Sequence, residues 1–177
     1  MEFKKIQLNG FKSFAEKADF LIEDGLTGIV GPNGCGKSNI VESLRWAMGE
    51  TSAKSMRGSG MEDVIFSGTS NKASKNIAEV TIEVENKDKE GPIQYREHDQ
   101  IQIKRKIEKD KGSKFYINGK EVRARDAQMF FADLSTGAHS PSMISQGRIG
   151  ALVTAKPTDR RAILEEAAGI SGLHVRR

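Results

Sequence analysis

Gly31-Pro32-Asn33-Gly34-Cys35-Gly36-Lys37-Ser38 fits the pattern G-x-x-x-x-G-K-[ST] and stands between a strand-like run and a helix-like run. Before it, Leu26-Thr27-Gly28-Ile29-Val30 is short, apolar and β-prone; behind it, Ile40, Val41, Leu44, Ala47 and Met48 recur at helical spacing until Gly49. Strand, glycine-rich loop and helix in that order predict a triphosphate cradle. The glycines let successive backbone N–H groups turn toward one point, and the helix adds the positive end of its dipole. In such a loop Lys37 reaches the β- and γ-phosphates and the Ser38 hydroxyl takes Mg2+.

Working outward, Phe3 to Leu8 alternates as a strand does and Phe20-Leu21-Ile22 suggests a second. Ala78, Val80, Ile82 and Val84 alternate with Glu79, Thr81, Glu83 and Glu85, the period-two pattern of a strand with one wet face. Ile101, Ile103 and Ile107 share a face with Arg105, and Phe115-Tyr116-Ile117 runs into Asn118-Gly119, a dipeptide suited to a type I′ turn. An antiparallel sheet carrying basic residues is expected there. Asp126 to Leu134 reads as helix, residues 135–147 as a Ser/Gly-rich loop, and Thr158 to Ala168 as a helix behind Pro157. Asn86 to Pro92 is the one charge-dense linker candidate, so the chain reads as a single α/β lobe.

Composition narrows the function classes. With 177 residues, 37% of them hydrophobic, the chain can bury a sizeable core, and no uncharged apolar stretch approaches the roughly 20 residues needed to span a bilayer. The amino terminus has no apolar run with a cleavage pattern, so a cytoplasmic protein is expected. Cys35 is the only cysteine, and His98, His139 and His174 lack metal-ligand spacing, so neither a disulfide nor a structural metal is expected. The formal charge is +4. Residues 96–126 hold ten Lys/Arg against six acids, which leaves 18 of each elsewhere. All the excess charge therefore falls in one stretch, where it can attract nucleic-acid phosphates.

The phosphate loop is one of several ordered blocks. Gly10-Phe11-Lys12-Ser13-Phe14-Ala15 precedes it, and Leu44-Arg45-Trp46-Ala47-Met48-Gly49-Glu50 closes the next helix. Met56-Arg57-Gly58, Met61 to Phe66, Ile144-Ser145-Gln146-Gly147 and Arg160-Arg161 with Glu165 to Gly169 follow. Together they resemble the amino-terminal half-head of the structural maintenance of chromosomes (SMC) ATPases, most like the bacterial chromosome-partition type. The resemblance covers nearly the whole chain. It implies a P-loop, ABC-type ATPase head with an antiparallel β-subdomain, built from both ends of a long coiled-coil polypeptide. Residues 1–168 correspond to the amino-terminal lobe, and 169–177 to the start of the connection to the coiled coil. Walker B and the signature motif belong to the carboxyl-terminal half. Met129-Phe130-Phe131-Ala132-Asp133 imitates Walker B, but Leu134 stands where the family has its catalytic glutamate. Leu134-Ser135-Thr136-Gly137 imitates the signature motif, yet it precedes Gln146 where the signature should follow.

What the resemblance implies can be carried over residue by residue. The loop from Pro32 through Asn33, Gly34, Cys35 and Gly36 wraps the phosphates of ATP with Lys37; Ser38 ligates Mg2+; Asn39 supports the loop or an α-phosphate oxygen. Gln146 matches the Q-loop glutamine that senses Mg2+ and the γ-phosphate. Arg57 matches the arginine loop, where a guanidinium can stabilise transferred-phosphate charge or couple to DNA. Lys12 matches a basic position near the phosphates, and Met61 to Val64 the segment that approaches adenine. Lys120 and Arg123, flanking the Asn118-Gly119 turn, are the preferred contacts to double-stranded DNA, through phosphates and without base reading. Implied partners are the carboxyl-terminal half-head, a second copy through heads and hinge, a kleisin-type subunit and DNA, with no membrane, in a cytoplasmic, nucleoid-associated setting. The chain alone is expected to bind ATP without turning it over. Other readings are a coiled-coil ABC ATPase of DNA repair, a small-molecule kinase and a nucleotide-indifferent DNA-binding module.

Overall fold

The computed structural model describes residues 1–87, 89, 91–134, 143 and 153–167. Six strands, β1 (Glu2–Asn9), β2 (Ala18–Leu21), β3 (Ile77–Glu85), β4 (Gln100–Glu108), β5 (Gly112–Ile117) and β6 (Lys120–Val122), form one sheet in the order β2-β1-β3-β4-β5-β6. Every neighbouring pair is antiparallel. The register follows the hydrophobic alternation: Ile82 of β3 lies opposite Ile6 of β1 on one side and Ile103 of β4 on the other, and all three are buried. A slip of one residue would turn this apolar row to water, which is why alternation fixes register.

Three α-helices, α1 (Lys37–Ala47), α2 (Ala124–Asp133) and α3 (Pro157–Ala167), and three short 3-10 turns complete the described elements. α1 packs on β3 and β4 and contributes Ile40, Trp46 and Ala47 to the core; α2 packs on β5 and adds Ala127, Phe130 and Phe131. Phe130 and Phe131 lie in a helix, as the rejection of a Walker B strand there requires. At the hairpin, Asn118 and Gly119 both have positive φ (48° and 80°), the backbone of a type I′ turn. Asn118 also exchanges hydrogen bonds of 2.8 Å with the backbone of Gln102, pinning the hairpin to β4.

Arg105 does not join the basic surface to which the charge count of residues 96–126 assigns it. It shares the face of Ile101, Ile103 and Ile107 as the spacing says, but that face is the core, and Arg105 is 3% exposed. Its guanidinium lies between the rings of Trp46 and Phe115, 4.5 and 4.7 Å from their centroids. Nη1 donates to the carbonyls of Trp46 (2.6 Å) and Glu50 (2.7 Å), and Nε donates to the Ser113 hydroxyl (2.7 Å). One of the ten basic residues of 96–126 is thus a buried cap on the carboxyl end of α1, where a cation meets the negative end of the helix dipole. Burial pushes its pKa down to about 10, so it stays charged at neutral pH.

Two further expectations are corrected. Leu26 to Val30 is not a strand: the segment has no ladder partner among the described residues, and Leu26 and Val30 are 96% and 93% exposed. β-propensity supplies side chains suited to a sheet, but a strand also needs a neighbour for its N–H and C=O groups. Nor is Asn86 to Pro92 a free linker. Asn86 is fully buried, donates through Nδ2 to the carbonyls of Arg96 (3.2 Å) and His98 (3.0 Å), and accepts from the Gly91 N–H (3.1 Å). One amide side chain therefore organises the segment. Except for Met143, the expected loop 135–147 lies outside the described residues, as do Gln146 and the expected coiled-coil connection at 169–177.

Candidate functional site

Gly34 and Gly36 carry φ of 84° and 95°, the left-handed backbone that lets the loop fold over the start of α1. A Cβ at Gly36 would come within 2.8 Å of Ser13 Oγ, so this close approach also needs glycine. No side chain caps the first turn of α1, which leaves its N–H groups to an anion. Lys37 begins the helix and its Nζ donates to the carbonyls of Gly31 (2.7 Å) and Pro32 (2.5 Å), folding the ammonium back over the loop. Pro32, Asn33, Cys35 and Ser38 are exposed around it. Cradle glycines, an uncapped helix start, a loop lysine and an exposed serine hydroxyl fit the phosphates of a nucleotide with Mg2+.

The residues expected near the phosphates come together behind this loop. Gly10 places the chain for Lys12: its φ is 64°, and a Cβ there would meet the Ile77 carbonyl oxygen at 2.2 Å. The Lys12 N–H then donates to the Val64 carbonyl at 2.7 Å. Lys12 Nζ reaches the carboxylate of Glu42 and the carbonyl of Met56. Arg57 Nε lies 2.5 Å from Glu42 Oε1, and its Nη2 donates to Asn39 Oδ1 at 2.8 Å. Asn39 Nδ2 in turn donates to Ser13 Oγ at 2.8 Å. Lys12, Asn39 and Arg57 thus form one network. Two of its members, Glu42 and Ser13, were not among the expected site residues. Glu42 could have been found, because it lies four residues after Ser38 and so on the same face of α1.

Met61 to Val64 forms a 3-10 turn. The Asp63 carboxylate accepts from the Gly60 N–H (2.9 Å), the Ser59 hydroxyl (2.9 Å) and the Ser59 N–H (2.6 Å), and these donors hold its pKa below the ordinary value. Glu62 Oε1 accepts from the Asp110 N–H at 2.9 Å, tying this turn to the β4–β5 connection. Lys120 opens β6 and Arg123 sits at the amino-terminal boundary of α2, where its N–H donates to the Asp126 carboxylate at 3.2 Å; both are exposed, and neither side chain forms an ion pair among the described residues. By contrast Lys106, Lys111 and Lys114 are engaged with Glu79, Glu108 and Glu121.

Comparison with known proteins converges. The family model described as RecF/RecN/SMC N terminal domain matches residues 2–148. The chromosome partition protein Smc of Rhodopseudomonas palustris is 55% identical over 177 residues, all of this chain and 15% of that protein. Its counterpart from Myxococcus xanthus is 45% identical over 179 aligned positions, again all of this chain and 15% of the relative. The chain therefore spans about 15% of the length of these curated relatives. A solved Smc head bound to the C-winged helix domain of ScpA matches with a TM-score of 0.86 at 31% identity, over 97% of this chain and 52% of that one. A chain from a study of ATP-driven dimerization and DNA-stimulated activation of SMC ATPases matches with a TM-score of 0.80 at 29% identity, over 94% of this chain and 99% of that one. The shared architecture is the α/β, ABC-type head fold with its antiparallel subdomain.

Proposed function

The chain belongs to the RecF/RecN/SMC N-terminal domain family, in the amino-terminal half-head of its bacterial chromosome-partition type, and from that premise we propose that it is the ATP-binding lobe of a head that condenses, organises and partitions chromosomes. The observation that carries this is the pairing of a phosphate cradle with an exposed apolar approach segment, Leu26 to Val30, that has no ladder partner among the described residues. Lys37 and the loop hold the phosphates, Ser38 takes Mg2+, and Gln146 senses the γ-phosphate side. Bound Mg2+ neutralises charge on the β- and γ-phosphate oxygens. The exposed Leu26, Ile29 and Val30 are where the carboxyl-terminal half-head pairs with this segment and brings Walker B.

In the same reading the full protein pairs with a second copy through heads and hinge. It also binds a kleisin-type subunit, as the solved head bound to ScpA does, and works in the cytoplasm on the nucleoid. No helix among the described residues is long and apolar enough to cross a membrane. Lys120 and Arg123 meet the DNA backbone. The chromosome-partition relatives favour this role over a repair ATPase.

Calorimetric titration of Mg·ATP into this chain tests the reading. Weak binding is expected, with phosphate release at background because the carboxylates of Walker B come from the other half. Lys37→Ala removes the binding and changes the melting temperature little, since it opens no core cavity and gives up only hydrogen bonds to the Gly31 and Pro32 carbonyls, which solvent can replace. Multiple-turnover hydrolysis by the chain alone, lost in Lys37→Ala, would overturn the half-site assignment.

A further inference from the structure

Glu42 is 7% exposed, and acids are seldom that buried without being paired. Its two oxygens hold two cations from different parts of the chain, Arg57 on Oε1 and Lys12 on Oε2. Both cations stand in left-handed backbone, with φ of 54° and 48°, a conformation non-glycine residues adopt only where the surroundings hold them. Met56, between them in space and next to Arg57 in sequence, is 1% exposed and fixes the turn from which the arginine projects. Arg57 itself is 58% exposed in its side chain. One edge of its guanidinium is thus gripped, by Glu42 and by Asn39. Both gripping residues project from α1 within one turn of Ser38.

We propose that Glu42 is the positioning residue for Arg57: its buried carboxylate, with Asn39, sets the guanidinium beside the phosphate loop, ready for a nucleoside triphosphate. The inference rests on the nucleotide-binding reading above. A free arginine on an exposed turn loses side-chain entropy whenever it takes up a ligand, whereas one clamped at Nε and Nη2 has already lost it. Lys12 has a different task in this cluster. It balances the second oxygen, so that the buried carboxylate carries a cation on each side.

The test is a double-mutant cycle on Mg·ATP affinity in this chain, with Glu42→Gln, Arg57→Ala and the pair together. Each single variant is expected to weaken binding about tenfold, and the pair no more than the weaker-binding single variant, because both remove the same aimed guanidinium. Glu42→Asp, which keeps the charge for Lys12 but shortens the reach to Arg57, should fall between parent and Glu42→Gln. It serves the same cycle should Glu42→Gln not fold. Additive losses, or full affinity in a folded variant at position 42, would overturn the proposal while leaving nucleotide binding intact. If the parent chain bound no nucleotide, both the binding reading and the proposal would fall.

Discussion

The antiparallel sheet and the approach to the phosphate loop obey the same sequence rules and end differently. β3 and Leu26 to Val30 are both apolar, β-prone runs. β3 is paired with β4 along its whole length and with β1 from Glu79 to Glu85, and buries Ala78, Val80 and Ile82 completely. Leu26 and Val30 stay more than nine-tenths exposed and unladdered. The strands of the sheet thus find partners among the described residues, whereas the loop's approach is apolar and has none there. Exposed apolar surface in a defined place marks an interface.

The largest effect should come from Arg105, which joins the two regions by carrying a β4 side chain to the end of the phosphate-loop helix. Arg105→Leu keeps apolar bulk but leaves the Trp46 and Glu50 carbonyls without their buried donor. A loss of about 2–5 kcal/mol in urea unfolding is expected. Trp46 is the only tryptophan, so its emission reports the same site directly. An unchanged midpoint and spectrum would mean that the helix and sheet are held together without this cation.

Next comes Val30→Ser, which separates the regions by its context dependence. In this chain the side chain is exposed, so stability should move by no more than about 0.5 kcal/mol. Once the carboxyl-terminal half-head is co-expressed, the same change should weaken the union of halves by about 1.5–3 kcal/mol, the worth of one buried valine. Co-purification yield and the dissociation constant of the two halves would read it. Equal affinity for parent and variant would place the missing strand's partner elsewhere.

The same contrast governs how far sequence reasoning reached. Period two in β3 and β4, the Asn118-Gly119 turn and the helix after Lys37 were legible because each is written as a pattern a few residues long. Leu26 to Val30 read as a strand because propensity does not reveal whether a neighbour exists. Arg105 was placed on the isoleucine face but also counted in the basic stretch, because a lone arginine in an isoleucine alternation gives no sign that Trp46 and Phe115 lie on either side of it. In the site, the loop glycines, Lys37 and Ser38 were visible as a contiguous motif. The cluster of Lys12, Glu42 and Arg57 spans 45 residues and needs the fold, although the i, i+4 relation of Ser38 and Glu42 was open to inspection.

A smaller effect, confined to ligand binding, is expected at the hairpin. Lys120 and Arg123 are exposed and their side chains form no ion pair among the described residues, while the Arg123 N–H bond to Asp126 is a backbone one that charge reversal keeps, so reversing both charges should change unfolding little. If each meets a phosphate, the slope of log affinity for duplex DNA against log salt should shrink by about one to two, equally for all sequences. An unchanged slope would make the hairpin a solvated edge of the sheet and nothing more.

The smallest effect should come from Asp63, in the turn that links the network around Arg57 to the sheet. Its folded pKa is lowered, first by the Gly60 N–H and then by the Ser59 hydroxyl and N–H. A lowered carboxyl pKa means that the contribution is present above the ordinary value of about 4 and is lost as pH falls through the folded value. Asp63→Asn should therefore be slightly less stable than the parent at neutral pH, and the two should converge in acid, where the parent's carboxyl is protonated and its hydrogen bonds to the turn weaken. Urea midpoints measured down through that range would show it. A gap that persisted undiminished in acid would mean that Asp63 shapes the turn by its packing, and that charge has no part in joining the phosphate-loop side of the molecule to the antiparallel sheet.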